Sequence, residues 1–188
     1  MARMQLMAVC DVRSIASVML YDTNGERAKS YADDLSVLLN VNIVPVDNPR
    51  AAVEGMDVII AASSAVEPIF DGTWLEPGQH INGIGSHAPA ARELDTVTIQ
   101  RSKLFPDHLD ACLAEAGDFI IPLNEGAITK EHFHASLGEV IAGMKSGRET
   151  DEEITLFKSV GLAIQDVSTA NVVYRKAVDA GMGVEFSF

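Results

Sequence analysis

The chain has 188 residues, 47% of them apolar, which is enough for one domain with a sizeable core and too few for a second full one. With 14 basic residues against 27 acidic ones, its formal charge of −13 leaves no Lys/Arg cluster to neutralise a phosphate track and excludes nucleic acid as a partner. No apolar run approaches the ~20 residues of a membrane span. Cys10 and Cys112, far apart and without CxxC spacing or a secretory leader, read as reduced thiols of a cytoplasmic protein.

In chain order, Met1-Ala2-Arg3-Met4-Gln5-Leu6 reads as the inside of a helix with no strand or glycine turn ahead of it. In a dinucleotide-binding βαβ unit, a first strand runs into a G-x-G-x-x-G/A turn that admits a pyrophosphate to the helix N-terminus. Ala2 fits the last small position of such a turn. The apolar run Ala16 to Tyr21 then ends in Asp22, twenty residues after Ala2, where a carboxylate would hold an adenosine ribose.

Further short β-branched runs predict strands at Val41 to Val46, Asp57 to Ala62, His80 to Ile84 and Lys103 to Phe105. Between the first two strands, Glu26 to Leu39 is of helical period, with Ala28, Tyr31, Ala32, Leu35 and Leu38 on one face. Pro49 opens a short helix through Val53, which Gly55 closes. After Phe105 the pattern predicts helices over Pro106 to Ala116, Thr129 to Met144, Glu152 to Gly161 and Asp166 to Ala180. Thr150 or Asp151 is placed to cap the third of these.

Alternating strands and crossover helices predict an α/β fold, a Rossmann-like doubly wound, mostly parallel sheet, truncated at its first strand and followed by a helical C-terminal segment. Gly147 and the charged residues after it form the one linker-like stretch, dividing the chain into a nucleotide-binding part at 1–147 and C-terminal helices at 148–188.

The string Asp57-Val-Ile-Ile-Ala-Ala-Ser-Ser64, then Glu67-Pro-Ile-Phe-Asp-Gly-Thr-Trp-Leu-Glu-Pro-Gly78 and Ile81-Asn-Gly-Ile-Gly-Ser-His87, resembles the ornithine cyclodeaminase/μ-crystallin family. Arg92-Glu-Leu-Asp95, Glu115-Ala-Gly-Asp118, Glu125-Gly-Ala127 and Asp151 to Gly161 extend the match over essentially the whole chain. Members of the family carry a further N-terminal part, with a dimerisation domain and basic side chains that grip the substrate carboxylate. The resemblance implies that this part lies outside the sequence, that the parent protein is a homodimer, and that residues 148–188 pack back toward it.

The resemblance also implies roles for particular residues. Tyr-Asp-Thr at 21–23 places Asp22 and Thr23 at the ribose and predicts NAD over NADP, because a carboxylate repels a 2′-phosphate; the alternative is an Asp22 that only caps a turn with Asn24-Gly25. Ser63 and Ser64, at a strand's carboxyl end, correspond to positions that touch the cofactor, although a serine pair there also suits an ordinary turn. The loop with Ile84, Gly85, Ser86 and His87 lies against nicotinamide and substrate in the family. In cyclodeaminases an aspartate acid/base stands at the position of His87, so the histidine departs from that pattern, while the surrounding Gly-Ser-x-x-Pro-x-x-Arg-Glu-Leu resembles the μ-crystallin-type branch of ketimine reductases and amino-acid dehydrogenases, with His87 as a candidate proton relay or simply a solvated loop residue. Ser159 and Val160 match positions near the nicotinamide and the substrate; their local reading is core helix. Glu131, His132 and His134 lack a second ligand group, so no metal is expected.

The activity implied is NAD-dependent oxidoreduction of a small amino or imino acid. Cyclodeamination of ornithine with NAD as catalytic cofactor is one alternative. A third is an inactive fragment or small-molecule binder.

Overall fold

The computed structural model describes residues 1–184 and 186. Helix α1 (Ala2–Val12) leads to strand β1 (Ser17–Leu20), helix α2 (Gly25–Leu39) and strand β2 (Asn42–Pro45). The Asn24 side chain caps α2 by accepting from Arg27 N at 3.0 Å, and the helix ends at Asn40, whose φ of 52° an asparagine tolerates better than most residues. Ala28, Ala32 and Leu35 recur at helical spacing and are buried, Ala32 and Leu35 against Leu6 and Ile43. Truncating Leu35 to alanine would cost ~2–5 kcal/mol as a core cavity. β1 and β2 pair in parallel from Ser17↔Asn42 to Leu20↔Pro45.

A second parallel sheet holds β3 (Val58–Ala61), β4 (His80–Gly83), β5 (Ser102–Pro106) and β6 (Ile154–Lys158) in the order β3-β4-β6-β5. The first four predicted strands form where expected, each trimmed by one or two residues, and the last is longer. The helix predicted over 152–161 is instead the central strand β6. Ile154, Thr155 and Leu156 are all buried, and a strand covered on both faces shows a continuous apolar run with no period of two. Among the described residues no helix follows Thr150 and Asp151 for them to cap before β6; Arg148 fastens the approach to β6 by donating to Glu153 O, Gln79 O and Thr155 Oγ1 at 2.7, 3.1 and 3.0 Å.

Other helices are shorter than predicted. Pro106 closes β5, and α4 (Leu109–Glu115) begins only after His108. The stretch 129–144 breaks into a 3-10 turn at Lys130–His132 and helix α6 (Leu137–Ile141), because Phe133 bridges to Leu104 and His134 N donates to Leu104 O at 3.1 Å, extending the chain beside β5. Asp95 caps an unpredicted helix α3 (Thr96–Arg101), and α5 (Gly117–Asn124) continues through Pro122. Pro49 flanks a 3-10 turn at Arg50–Ala52 rather than opening an α-helix. The last predicted helix forms as α7 (Ala163–Asp179), with Ile164, Val167, Val173 and Tyr174 exposed. Among the described residues, no helix is long and apolar enough to cross a membrane.

The two sheets face each other across a cavity of about 380 Å³, lined by Leu6 and Val9 of α1, Val18 and Leu20 of β1, and Val58 and Ile60 of β3. Leu20 O accepts from Val46 N, and Ala61 O accepts from Ile84 N, both at 2.9 Å, on the far side of each strand. By alternation, the backbone groups of Met19, Val58 and Ile60 point into the cavity from two unpaired edges. Reading across, the order is β2-β1-cavity-β3-β4-β6-β5. The cavity stands where doubly wound sheets place their first strand.

Candidate functional site at the carboxyl edge of the sheet

Because every strand pairs in parallel, the loops after β3, β4, β5 and β6 emerge at one edge, the edge where doubly wound sheets receive ligands. A set of buried charges organises them. Glu93 is fully buried, and its carboxylate accepts from Ser63 N after β3 and, at 2.6 Å, from Gly85 N after β4. Its own amide and that of Leu94 donate to Asp118 Oδ1 at 2.7 and 2.9 Å. Asp118 Oδ2 in turn meets Lys158 Nζ at 2.7 Å, both side chains fully excluded from solvent.

Asp107, just after β5, gathers the loop after β6. One carboxylate oxygen accepts from Ser159 Oγ at 2.7 Å and from the amides of Val160 and Gly161 at 3.1 Å each; the other accepts from His108 N at 2.7 Å and Cys112 Sγ at 3.3 Å. Burial alone would raise the Asp107 pKa, but the hydrogen bonds from Ser159, Cys112, His108 and Gly161 outweigh it and hold the carboxyl below its ordinary range. Burial first, then the neighbouring Asp107 charge, pushes the Cys112 thiol up to about 12, so it stays protonated and inert.

The residues singled out in the sequence fall into three groups. Ser63, Ser64, Ile84, Gly85 and His87 sit together on the loops after β3 and β4. Ser86 lies there too, yet it is buried and its hydroxyl donates to Ala91 O at 2.6 Å. His87 is exposed, with Nδ1 3.0 Å from Gly85 O; a carbonyl only accepts, so Nδ1 donates in this contact. Ser159 and Val160 belong to the loop after β6, held by Asp107 rather than in a helix. Asp22 and Thr23 follow β1 on the far side of the cavity, and Ala2, in the first turn of α1, lines it.

The Asp22 carboxylate is engaged by Arg27, with Nε at 2.8 Å and an NH2 contact at 2.6 Å, and by Asn24 N at 2.8 Å. Hydrogen bonds from Arg27 lower its pKa, so it is ionised at neutral pH. The cap of the Asn24 turn is therefore formed, and the carboxylate still has lone pairs to offer hydroxyl groups. His132 Nδ1 accepts from Thr129 N at 3.0 Å and His134 Nε2 lies 2.9 Å from Ser146 O, both local ties. Among the described residues, no three His, Cys, Asp or Glu side chains cluster as metal ligands.

Sequence reasoning passed over Glu93, Asp107, Asp118 and Lys158 as site residues. Lys158 alone carried a signal, a lysine closing a run of buried-strand residues, since lysine is almost never fully buried unless paired.

Together, the sheet order and this edge define a doubly wound α/β domain of the Rossmann-like class. The chain belongs to the ornithine cyclodeaminase/mu-crystallin family, whose model matches residues 1–181. The Delta(1)-pyrroline-2-carboxylate reductase of Bacillus cereus is 38% identical over 182 residues, covering 96% of this chain and 56% of that protein. The fold superposes with a TM-score of 0.96 on the Delta(1)-pyrroline-2-carboxylate reductase of Thermococcus litoralis in complex with NADH and L-proline, at 47% identity over 98% of this chain and 57% of that one. An archaeal alanine dehydrogenase dimer with bound NAD matches with a TM-score of 0.91 and 35% identity, over 100% of this chain and 57% of that one. The chain thus spans little more than half the length of the relatives it matches.

Proposed function

We propose that this chain supplies the NAD-binding half of a cytoplasmic, homodimeric oxidoreductase that acts on a small amino or imino acid. The observation that carries the reading is the 47% identity and near-complete superposition on a reductase holding NADH and L-proline, with this chain's Ser63, Gly85 and Ser159 loops on one carboxyl edge. The residues fit the cofactor. Asp22 would accept hydrogen bonds from the adenosine ribose and repel a 2′-phosphate, and Thr23 flanks it. Ala2 in the first turn of α1 would approach the pyrophosphate. Ser63, Ser64, Ile84, Gly85, Ser86 and Ser159 would border the nicotinamide half, with Val160 as an apolar wall toward the substrate.

When bound, the nicotinamide supplies hydride to an imine carbon or accepts it from an amino acid. The chain's own contribution is to hold and shield. His87, with Nδ1 donating to Gly85 O, is set to take up or release a proton at Nε2. A histidine at 87 favours this reading over cyclodeamination, for which the family uses a carboxylate there.

A second reading, dinucleotide binding without turnover, is favoured by the cavity between β1 and β3, which leaves the first turn of α1 at Ala2 open on that side. Titration with NADH and NADPH separates the readings when followed by turnover with Δ1-pyrroline-2-carboxylate and, in reverse, L-proline and L-alanine. Preferred NADH binding with oxidation of NADH supports the oxidoreductase. NADH binding alone supports the second reading, and a folded chain that binds neither dinucleotide overturns both.

A further inference from the structure

Glu93 is a fully buried carboxylate that contacts no cation among the described residues, and amide donors alone satisfy it: Ser63 N on the loop after β3 and Gly85 N on the loop after β4. The two N–H groups take one carboxylate oxygen each, Ser63 N donating to Oε1 and Gly85 N to Oε2, so a single side chain ties the two loops together. The clamp is itself anchored on both sides of the main chain. Glu93 N donates to Asp118 Oδ1 at 2.7 Å, and Glu93 O accepts from Ile69 N at 2.8 Å. Gly85 has no room for a side chain, since a Cβ there would overlap the Glu93 carboxylate. Its glycine therefore serves the approach to Glu93 from below as much as any ligand from above.

We propose that Glu93 is a positioning residue for the nicotinamide half of the site: it fixes the spacing between the Ser63 and Gly85 loops, and through it the width of the seat for the ring. This rests on the proposed NAD reading. The adenosine half, at Asp22 after β1, lies across the cavity and makes none of these contacts. Loss of the clamp therefore divides the cofactor's two ends, whereas general loosening of the fold weakens both.

The experiment uses Glu93→Gln in the full chain. Its amide group offers one acceptor and turns a donor toward the second N–H, so one arm of the clamp opens. Amide hydrogen exchange without ligand tests the clamp itself: Ser63 or Gly85 exchanges at least tenfold faster, while the core strand amides of Ile81 and Leu156 do not change. Titrations with NADH and with AMP then test positioning. The affinity for NADH falls at least tenfold, and that for AMP stays within twofold.

Equal losses for the two ligands, or unchanged exchange at both amides, overturn the proposal. Should Glu93→Gln fail to fold, Glu93→Asp draws the carboxylate back from both amides without altering charge and is held to the same pattern. A wild-type chain that binds neither ligand defeats the NAD reading, and the exchange measurement still decides the clamp.

Discussion

Lys158 Nζ lies 2.7 Å from Asp118 Oδ2, forty positions away in sequence, and among the described residues neither of these two atoms has any other partner. Such a pair gains little over apolar packing, yet breaking it strands a charge in the core. Lys158→Met leaves the Asp118 carboxylate unpaired and is expected to destabilise the fold by ~3–5 kcal/mol, read as a lower urea midpoint at unchanged slope. Adding Asp118→Asn keeps an acceptor for the amides of Glu93 and Leu94 while removing the stranded charge. The double variant should recover much of the loss. A double variant as unstable as Lys158→Met would show that shape, not charge, governs the site.

Among the residues proposed to meet the cofactor, Asp22 is the one whose charge bears directly on the choice between NAD and NADP. Asp22→Ala removes the proposed ribose acceptor and also releases Arg27, now held by it at 2.6 Å. NADH affinity should fall about tenfold, equivalent to ~1.4 kcal/mol, and the preference over NADPH should shrink because a free arginine attracts a 2′-phosphate. Fluorescence titration with both nucleotides checks this, and an unchanged ratio of affinities would remove Asp22 from the site.

The first four strands are legible because β-branched runs bounded by turn residues are a local signal, whereas Asp22, Ser63 and Gly85 become candidates only when their places after such runs are joined to the family resemblance. The strand Ile154–Lys158 is not legible: Ile-Thr-Leu-Phe suits a buried strand or a helix equally, and its pairing with β4 and β5, far away in sequence, decides the matter. Glu93, Asp107 and Asp118 escaped for a related reason. A lone acidic residue reads as solvent-facing, and what makes these three structural is burial against amides supplied by other loops.

His80 gives the fold a pH dependence in a window of its own. Its ring lies 2.8 Å from Thr155 Oγ1 and 3.2 Å from Asn82 Oδ1, and burial, reinforced by Arg148 against the opposing Asn82 hydrogen bond, pushes its pKa below the ordinary 6.5. The folded state therefore binds this proton less readily than the unfolded chain does. The resulting stability is complete above pH 6.5 and is lost as pH falls toward the folded value. Asp22 and Asp107, both lowered, lose their contributions only at and below ~pH 4. Melting temperature should decline between pH 6.5 and 5 in the wild type, and His80→Gln should flatten that interval. An unaltered slope would assign the titration elsewhere.

The cavity between β1 and β3 makes the most demanding prediction. Two parallel edges face one another across a cavity of about 380 Å³, with backbone groups of Met19, Val58 and Ile60 aimed into it. A single extended strand, apolar on both faces and parallel to its neighbours, would satisfy both edges and unite the two sheets into one. A Val/Ile-rich strand with a Gly-x-Gly turn, fused ahead of Met1, should slow amide exchange at Met19, Val58 and Ile60 at least tenfold and raise the melting temperature. The same fusion with a proline at the strand's centre should do neither, since it cannot donate to the ladder. Because the added turn would also meet the first turn of α1 beside Ala2, NADH affinity should rise with the unbroken strand alone. Exchange at the three amides that stays fast, with the fusion folded, would mean that the edges are satisfied in some other way and that the cavity is not a strand site.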